Sequence, residues 1–136
     1  MIEQAPAGTA NGRERGVVAV GPVGSRAAGR LQLFRYEVRC WRGGVIPDAA
    51  EAVDSPFRLT ADPVLARRVL DLAPVVPTAV WGRDELGAGE MWNSNAIVAW
   101  LLETAGLDAA SVRPPAGGRA LGWNAGIAVA RRELER

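Results

Sequence analysis

The stretch that decides the fold is residues 92–106, WNSNAIVAWLLETAG. Residues 96–102 are all apolar, so a helix running to residue 105 would have no polar face in its first two turns. The Asn-Ser-Asn sequence before it favours a helix start, and Gly106 is typical of the position just past a helix end. A helix that is apolar on every side is buried on every side. We therefore expect the central helix of the domain here, covered by a sheet on one side and by further structure on the other.

The clearest strand lies upstream, over residues 31–41, LQLFRYEVRCW. Its side chains alternate between two faces, as the period of a strand requires. The expected inward face carries Phe34, Tyr36, Val38 and Cys40, and the expected outward face carries Arg35, Glu37 and Arg39. Residues 16–20, GVVAV, predict a second, buried strand, and an antiparallel hairpin is the natural pairing of the two.

Three further segments complete the pattern. Asp62 and Pro63 are typical of a helix start and precede an apolar stripe that runs to about residue 72. Residues 78–81, TAVW, indicate a short strand. Residues 123–136 fit either a strand or a third helix capped by Asn124, and the pattern does not decide between them.

The chain is expected to form a disordered tail over residues 1–12 and a single α+β domain over residues 13–136. In that domain a small antiparallel sheet packs on the central buried helix. A length of 136 residues suits one domain, and a hydrophobic fraction of 49% excludes a disordered polypeptide.

Several observations predict a cytoplasmic protein. The longest apolar run is far shorter than the roughly 18 residues that indicate a membrane span, and the first residues lack the apolar core of a signal peptide. Cys40 is the only cysteine, so no internal disulfide can form, which favours a reducing compartment. Its strand position indicates a small buried hydrophobe rather than a nucleophile.

The charge pattern argues against nucleic acid. All 16 basic residues are arginines, and with 15 acids they give a net charge of +1. An arginine-, alanine- and glycine-rich composition is typical of a GC-rich genome. Because the arginines are interleaved with acids along the chain, no basic stripe is present.

The composition also narrows the chemistry. The chain has no histidine, so no mechanism that depends on an imidazole base or ligand is available. Asp84, Glu85 and Glu90 cluster in one loop without calcium-loop spacing, and we expect no metal and no cofactor.

The start of the buried helix is the candidate site. Backbone N–H donors and the positive end of the helix dipole meet there, which suits an anion or the oxyanion of acyl transfer. The same small polar side chains are also the preferred N-caps, and that reading explains them without a ligand. The candidate ligand-binding residues are Trp92, Asn93, Asn95, Trp123 and Arg119.

Short motifs resemble those of a family of uncharacterised bacterial proteins. The motifs are Arg-Tyr-Glu-Val at residues 35–38 and Asn-Ser-Asn at residues 93–95, with a tryptophan before the latter. Arg-Pro-Pro at residues 113–115 looks like the paired prolines of that family, whereas its usual Pro-Gly-Pro spacer is missing here.

That family is in turn similar to permuted papain-like domains, a group with amidase-like and acyltransferase-like members. The resemblance implies a histidine on an early strand and a nucleophilic cysteine at the start of the central helix. In this chain residues 16–20 contain no histidine, and Ser94 stands at the helix start. The resemblance therefore implies the scaffold without its Cys/His dyad.

Two main hypotheses follow. The first is a non-catalytic binding or assembly domain on a papain-like scaffold. The second is a hydrolase or acyltransferase in which Ser94 is the nucleophile, Glu37 the base, and Asn93 and Asn95 part of an oxyanion hole. A third reading is a subunit that needs a protein partner or self-association, because a helix apolar on all sides demands more cover than the predicted elements provide.

Overall fold

A computed structural model of the protein describes residues 1–8, 15–45, 49–53 and 56–136. Within these ranges the fold is α+β, as predicted, with a three-stranded antiparallel sheet and three α-helices. The elements are β1 (Ile2–Pro6), β2 (Val17–Pro22), β3 (Arg35–Cys40), α1 (Pro63–Leu72), α2 (Ser94–Ala105) and α3 (Trp123–Leu134). Single 3₁₀ turns occupy Ala28–Arg30, Gln32–Phe34, Ala49–Glu51, Ala73–Val75 and Ala109–Ser111. No helix in the described ranges is long and apolar enough to cross a membrane.

The sheet has the order β1-β3-β2, with β3 in the middle. The predicted hairpin is confirmed, since β2 pairs antiparallel with β3 and places Gly21 opposite Tyr36. The expected disordered tail is wrong for residues 2–6, which form β1 and pair antiparallel along the other edge of β3. The sequence IEQAP has no strand-like alternation, so this edge strand depends on backbone pairing with β3. Residues 9–12 of the predicted tail lie outside the described part of the chain.

β3 is shorter than the predicted strand. It begins at Arg35, because the preceding residues turn into a 3₁₀ helix and leave Phe34 exposed rather than on the inward face. Tyr36 and Val38 are buried as expected, and Cys40 is half-buried. Glu37 lies on the face opposite Tyr36, as predicted, but the residue is only 4% exposed, because Arg15, Arg39 and the Gly8 N–H surround its carboxylate.

α2 is the buried central helix that its sequence predicts. Asn93 is the N-cap, and its Oδ1 accepts a hydrogen bond of 3.1 Å from the N–H of Ala96. Gly106 ends the helix with a φ of 93°, in the left-handed region that favours glycine. Buried positions include Ala96, Ile97, Ala99, Trp100, Leu101, Leu102 and Ala105. Val98 is the exception in the apolar run, since it is exposed.

The remaining segments differ in how far the sequence predicted them. α1 begins as expected, with Asp62 accepting a 2.8 Å bond from the Val64 N–H. Residues 78–81 form no strand, because only Trp81 makes isolated bridges. Residues 123–134 are a helix that packs on α2, and the residue before its first turn is Gly122 rather than Asn124.

Candidate functional site

The start of α2 is tied to the loop before α3 by two carboxamides. The Nδ2 atoms of Asn93 and Asn95 donate hydrogen bonds of 2.8 and 3.0 Å to the carbonyl oxygen of Leu121. Both side chains therefore hold the loop in place, and Asn93 also caps the helix. Ser94, between them, is exposed.

A cavity of about 370 Å³ opens beside Ser94, and we call it the Ser94 cleft. It is lined by residues 4–6 of β1, Val23, Leu33, Arg35, Tyr36, Trp81 and Ser94. In the register of the sheet Pro6 is opposite Tyr36, so both point to the sheet face that α2 covers. The cleft thus lies between the β1 edge and the first turn of α2.

The titratable groups that line the Ser94 cleft are poorly suited to remove a proton from Ser94. The Tyr36 hydroxyl donates a 2.8 Å hydrogen bond to the carbonyl of Ala79, and burial raises the pKa of Tyr36 to about 12. The Arg35 guanidinium donates to the carbonyls of Gly29 and Arg30. Tyr36 is therefore protonated at neutral pH, and Arg35 is a cation.

The structure does not bring Glu37 to Ser94. Glu37 follows Tyr36 in β3 and so points to the opposite face of the sheet. There it accepts bonds from the Arg15 and Arg39 guanidiniums, at 2.5 and 3.0 Å, and from the N–H of Gly8 at 3.1 Å. Burial alone raises the pKa of a carboxyl, but these donors outweigh it and hold the pKa of Glu37 below its ordinary value.

Trp92, a predicted ligand-binding residue, is not placed to touch a ligand. Its side chain is 1% exposed and lies in the core with Tyr36 and Trp100. Trp92 therefore packs in the core beneath the start of α2 and does not line the Ser94 cleft.

Trp123 and Arg119 lie at a different place from Ser94. They line a second cavity of about 370 Å³, the arginine cavity, together with Glu90, Arg113 and Asn124. The predicted ligand-binding residues are thus split between a helix start that holds a loop, a core tryptophan and this second cavity.

Sequence reasoning missed Leu33 and Trp81 in the Ser94 cleft, and Arg113 in the arginine cavity. Trp81 is 42% exposed and lies in the segment whose sequence indicated a short strand. The only local signal was the glycine that follows it, which breaks the segment. No sequence pattern links residue 33 to residue 81. Trp81 reaches the cleft through its parallel bridge with Val23, which is a long-range contact.

Within the described ranges, no group of three or more acidic or cysteine side chains is placed to hold a metal ion. Comparisons with protein-family models, with curated proteins and with solved structures found no match to this chain.

Proposed function

We propose that this protein is a non-catalytic binding domain that takes an apolar segment of a protein partner into the Ser94 cleft. The observation that carries the proposal is the lining of the cleft, which is largely apolar and has Arg35 and Tyr36 as its titratable groups. Such a lining suits burial of an apolar side chain. It offers Ser94 a neighbouring cation and a protonated phenol, neither of which takes up a proton at neutral pH.

The exposed apolar residues around the cleft favour a protein partner over a small ligand. Leu33 is 86% exposed at the cleft, and Leu31 and Phe34 beside it in the chain are exposed as well. Trp81 adds a large aromatic surface on the lining. Exposed apolar patches of this kind mark interaction sites, and a small molecule inside the cleft would leave most of this one in water.

The proposal includes a papain-like scaffold without its Cys/His dyad. The order of the elements supports it, because β2 and β3 precede the buried helix α2, whose first residue is Ser94. The single cysteine agrees with a cytoplasmic location. Nucleic acid is not proposed as the partner, since the arginines are interleaved with acids.

The alternative function is a hydrolase or acyltransferase, and the exposure of Ser94 at a helix start is the observation that favours it. A fluorophosphonate probe for activated serines separates the two. We expect no labelling of Ser94 in the folded protein, with a known serine hydrolase as the positive control. Stoichiometric labelling that disappears in Ser94→Ala would establish the enzyme reading and overturn the non-catalytic one.

A selection of displayed random peptides tests the binding role. We expect the enriched peptides to share an apolar residue and to lose binding to Leu33→Glu, because a charge there cannot enter an apolar contact without a large desolvation cost. Val64→Glu on α1 is the matched control, since Val64 is similarly exposed but lies away from the cleft. Peptides that bind the wild type and Leu33→Glu equally, or no enrichment at all, would contradict the proposal.

A further inference from the structure

The arginine cavity holds two guanidiniums that have no partner among the described residues. Arg113 and Arg119 are exposed, line the cavity, and make no hydrogen bond or ion pair with the described residues. Another surface hollow presents one such arginine rather than two: Arg26 is paired with Glu85 and Arg35 donates to two backbone carbonyls, while only the Arg30 guanidinium has no partner among the described residues. The arginine cavity is therefore a concave site with two positive charges that no described residue pairs.

Glu90, the one carboxylate that lines the arginine cavity, is hydrogen-bonded at the start of α3. Glu90 accepts a 2.8 Å hydrogen bond from the N–H of Gly122 and a 3.4 Å bond from the Asn124 amide. α3 has no side-chain cap of its own, so Glu90 serves that purpose. The Glu90 carboxylate therefore interacts with the start of α3 and not with the arginines. The guanidiniums of Arg113 and Arg119 remain as donors for a ligand.

Apart from Asn124 and Gly118, the remaining residues that line the cavity are apolar, and one of them is held in place. The indole N–H of Trp123 donates a 3.0 Å hydrogen bond to the Ala109 carbonyl, which fixes the ring at the cavity. Ile127 of α3 and the half-exposed Leu121 add aliphatic surface. A guanidinium binds carboxylate and phosphate oxygens in a fork, and an indole packs well against a flat apolar group.

We propose that the arginine cavity binds a small organic anion in which a carboxylate or a phosphate is joined to a flat apolar group. Arg113 and Arg119 bind the oxyanion, and Trp123 with its aliphatic neighbours covers the apolar part. A volume of about 370 Å³ limits the ligand to a small molecule. The site shares no lining residue with the Ser94 cleft, so either proposal can fail without the other.

The test is an NMR titration that follows the indole N–H of Trp123 and the Nε–H groups of the two arginines. The probes are benzoate, phenyl phosphate, inorganic phosphate and the neutral isostere benzamide. We expect saturable shifts with benzoate or with phenyl phosphate, weaker binding of inorganic phosphate, and none with benzamide. The stronger of benzoate and phenyl phosphate identifies the oxyanion. Added salt should weaken the binding, because the guanidiniums are exposed.

Substitutions test whether Arg113 and Arg119 bind the anion. Arg113→Gln and Arg119→Gln should each lower the affinity by at least about tenfold, as loss of a charge-assisted hydrogen bond does. Arg68→Gln is the matched control, since Arg68 is an exposed arginine on α1 and should leave the affinity unchanged. A well-dispersed amide spectrum checks that each variant is folded. Equal binding of benzoate and benzamide, no saturable shift with any probe, or unchanged affinity in both cavity variants would overturn the proposal.

Discussion

Asn93 connects the first turn of α2 to the loop before α3 through one short side chain. Its Oδ1 accepts from the first turn of α2, and its Nδ2 donates to the carbonyl of Leu121 in the loop before α3. Gly122 approaches so closely that a Cβ there would lie 2.5 Å from the Asn93 Oδ1, and its φ of 86° also favours glycine. Ser94, by contrast, does not cap α2.

We therefore expect Asn93→Ala to lower the free energy of unfolding by about 1–2 kcal/mol, the upper part of the range for a lost N-cap. Ser94→Ala is the neighbouring control and should change it by less than about 0.5 kcal/mol, as surface substitutions do. Denaturant unfolding of both variants measures the difference. If Ser94→Ala is as destabilising as Asn93→Ala, the assignment of the cap is wrong.

We expect Glu37 to contribute to the free energy of unfolding at neutral pH and to lose that contribution at acid pH. Its folded-state pKa lies below the ordinary value of 4.5, so the ionised carboxylate stabilises the fold above that pH. That stability is lost as the pH falls from about 4.5 through the lower folded-state pKa. Glu37→Gln should cost about 1.5–3 kcal/mol at neutral pH, the range for hydrogen bonds to charged groups.

The pH dependence separates this effect from simple packing. The difference in unfolding free energy between wild type and Glu37→Gln should be constant near neutrality and shrink at acid pH. Urea unfolding across that range measures it, with the exposed pair of Arg67 and Asp71 as a comparison, where Asp71→Asn should change little. A difference that stays constant below pH 4.5 would contradict the assigned ion pairs.

At the scale of elements, the contact between α2 and α3 depends on Gly126. A Cβ at this position would overlap the carbonyl oxygen of Ala96 and come within 2.8 Å of the Ala99 Cβ. In a free helix, alanine is better than glycine by about 1 kcal/mol. Here the close approach reverses the sign, and Gly126→Ala should destabilise the protein by about 1–3 kcal/mol through overpacking.

Thermal unfolding of Gly126→Ala checks the sign. Ala128→Gly, two residues further along α3, is the control for propensity alone, with an expected loss of about 1 kcal/mol. A rise in the melting temperature of Gly126→Ala would show that the two helices can separate without cost.

The elements that the sequence predicts well are those with a local cause. α2 begins at its Asn93 cap and ends at Gly106, and α1 begins at its Asp62 cap. Each of these residues is adjacent to the helix that it starts or ends. β1 was missed because an edge strand of mixed composition has no period of its own and forms only against β3. The Ser94 cleft was missed for a similar reason, since Leu33 and Trp81 meet only through the tertiary fold.

At the scale of the whole molecule, the described elements differ in how many residues they bury in the main core. The main core joins β3, α2 and α3 through Tyr36, Val38, Leu101 and Val129. α1 has no buried residue and reaches this core only with the partly buried Val69 and Leu72. An element with so few buried apolar contacts opens locally at low free energy.

This difference predicts the pattern of amide hydrogen exchange. Amides of α2 and β3 should exchange slowest, near the rate of global unfolding, and those of α1 fastest among the three α-helices described. Leu101→Ala should lower the protection of α2, β3 and α3 together, by about 2–5 kcal/mol, because it opens a cavity in their shared core. The exposed Val98→Ala on the same helix is the matched control and should change it little. Protection of α1 should be unaffected by Leu101→Ala, since α1 opens without the core. If α1 loses protection in step with α2, the two belong to one cooperative unit and the account of a peripheral α1 is wrong.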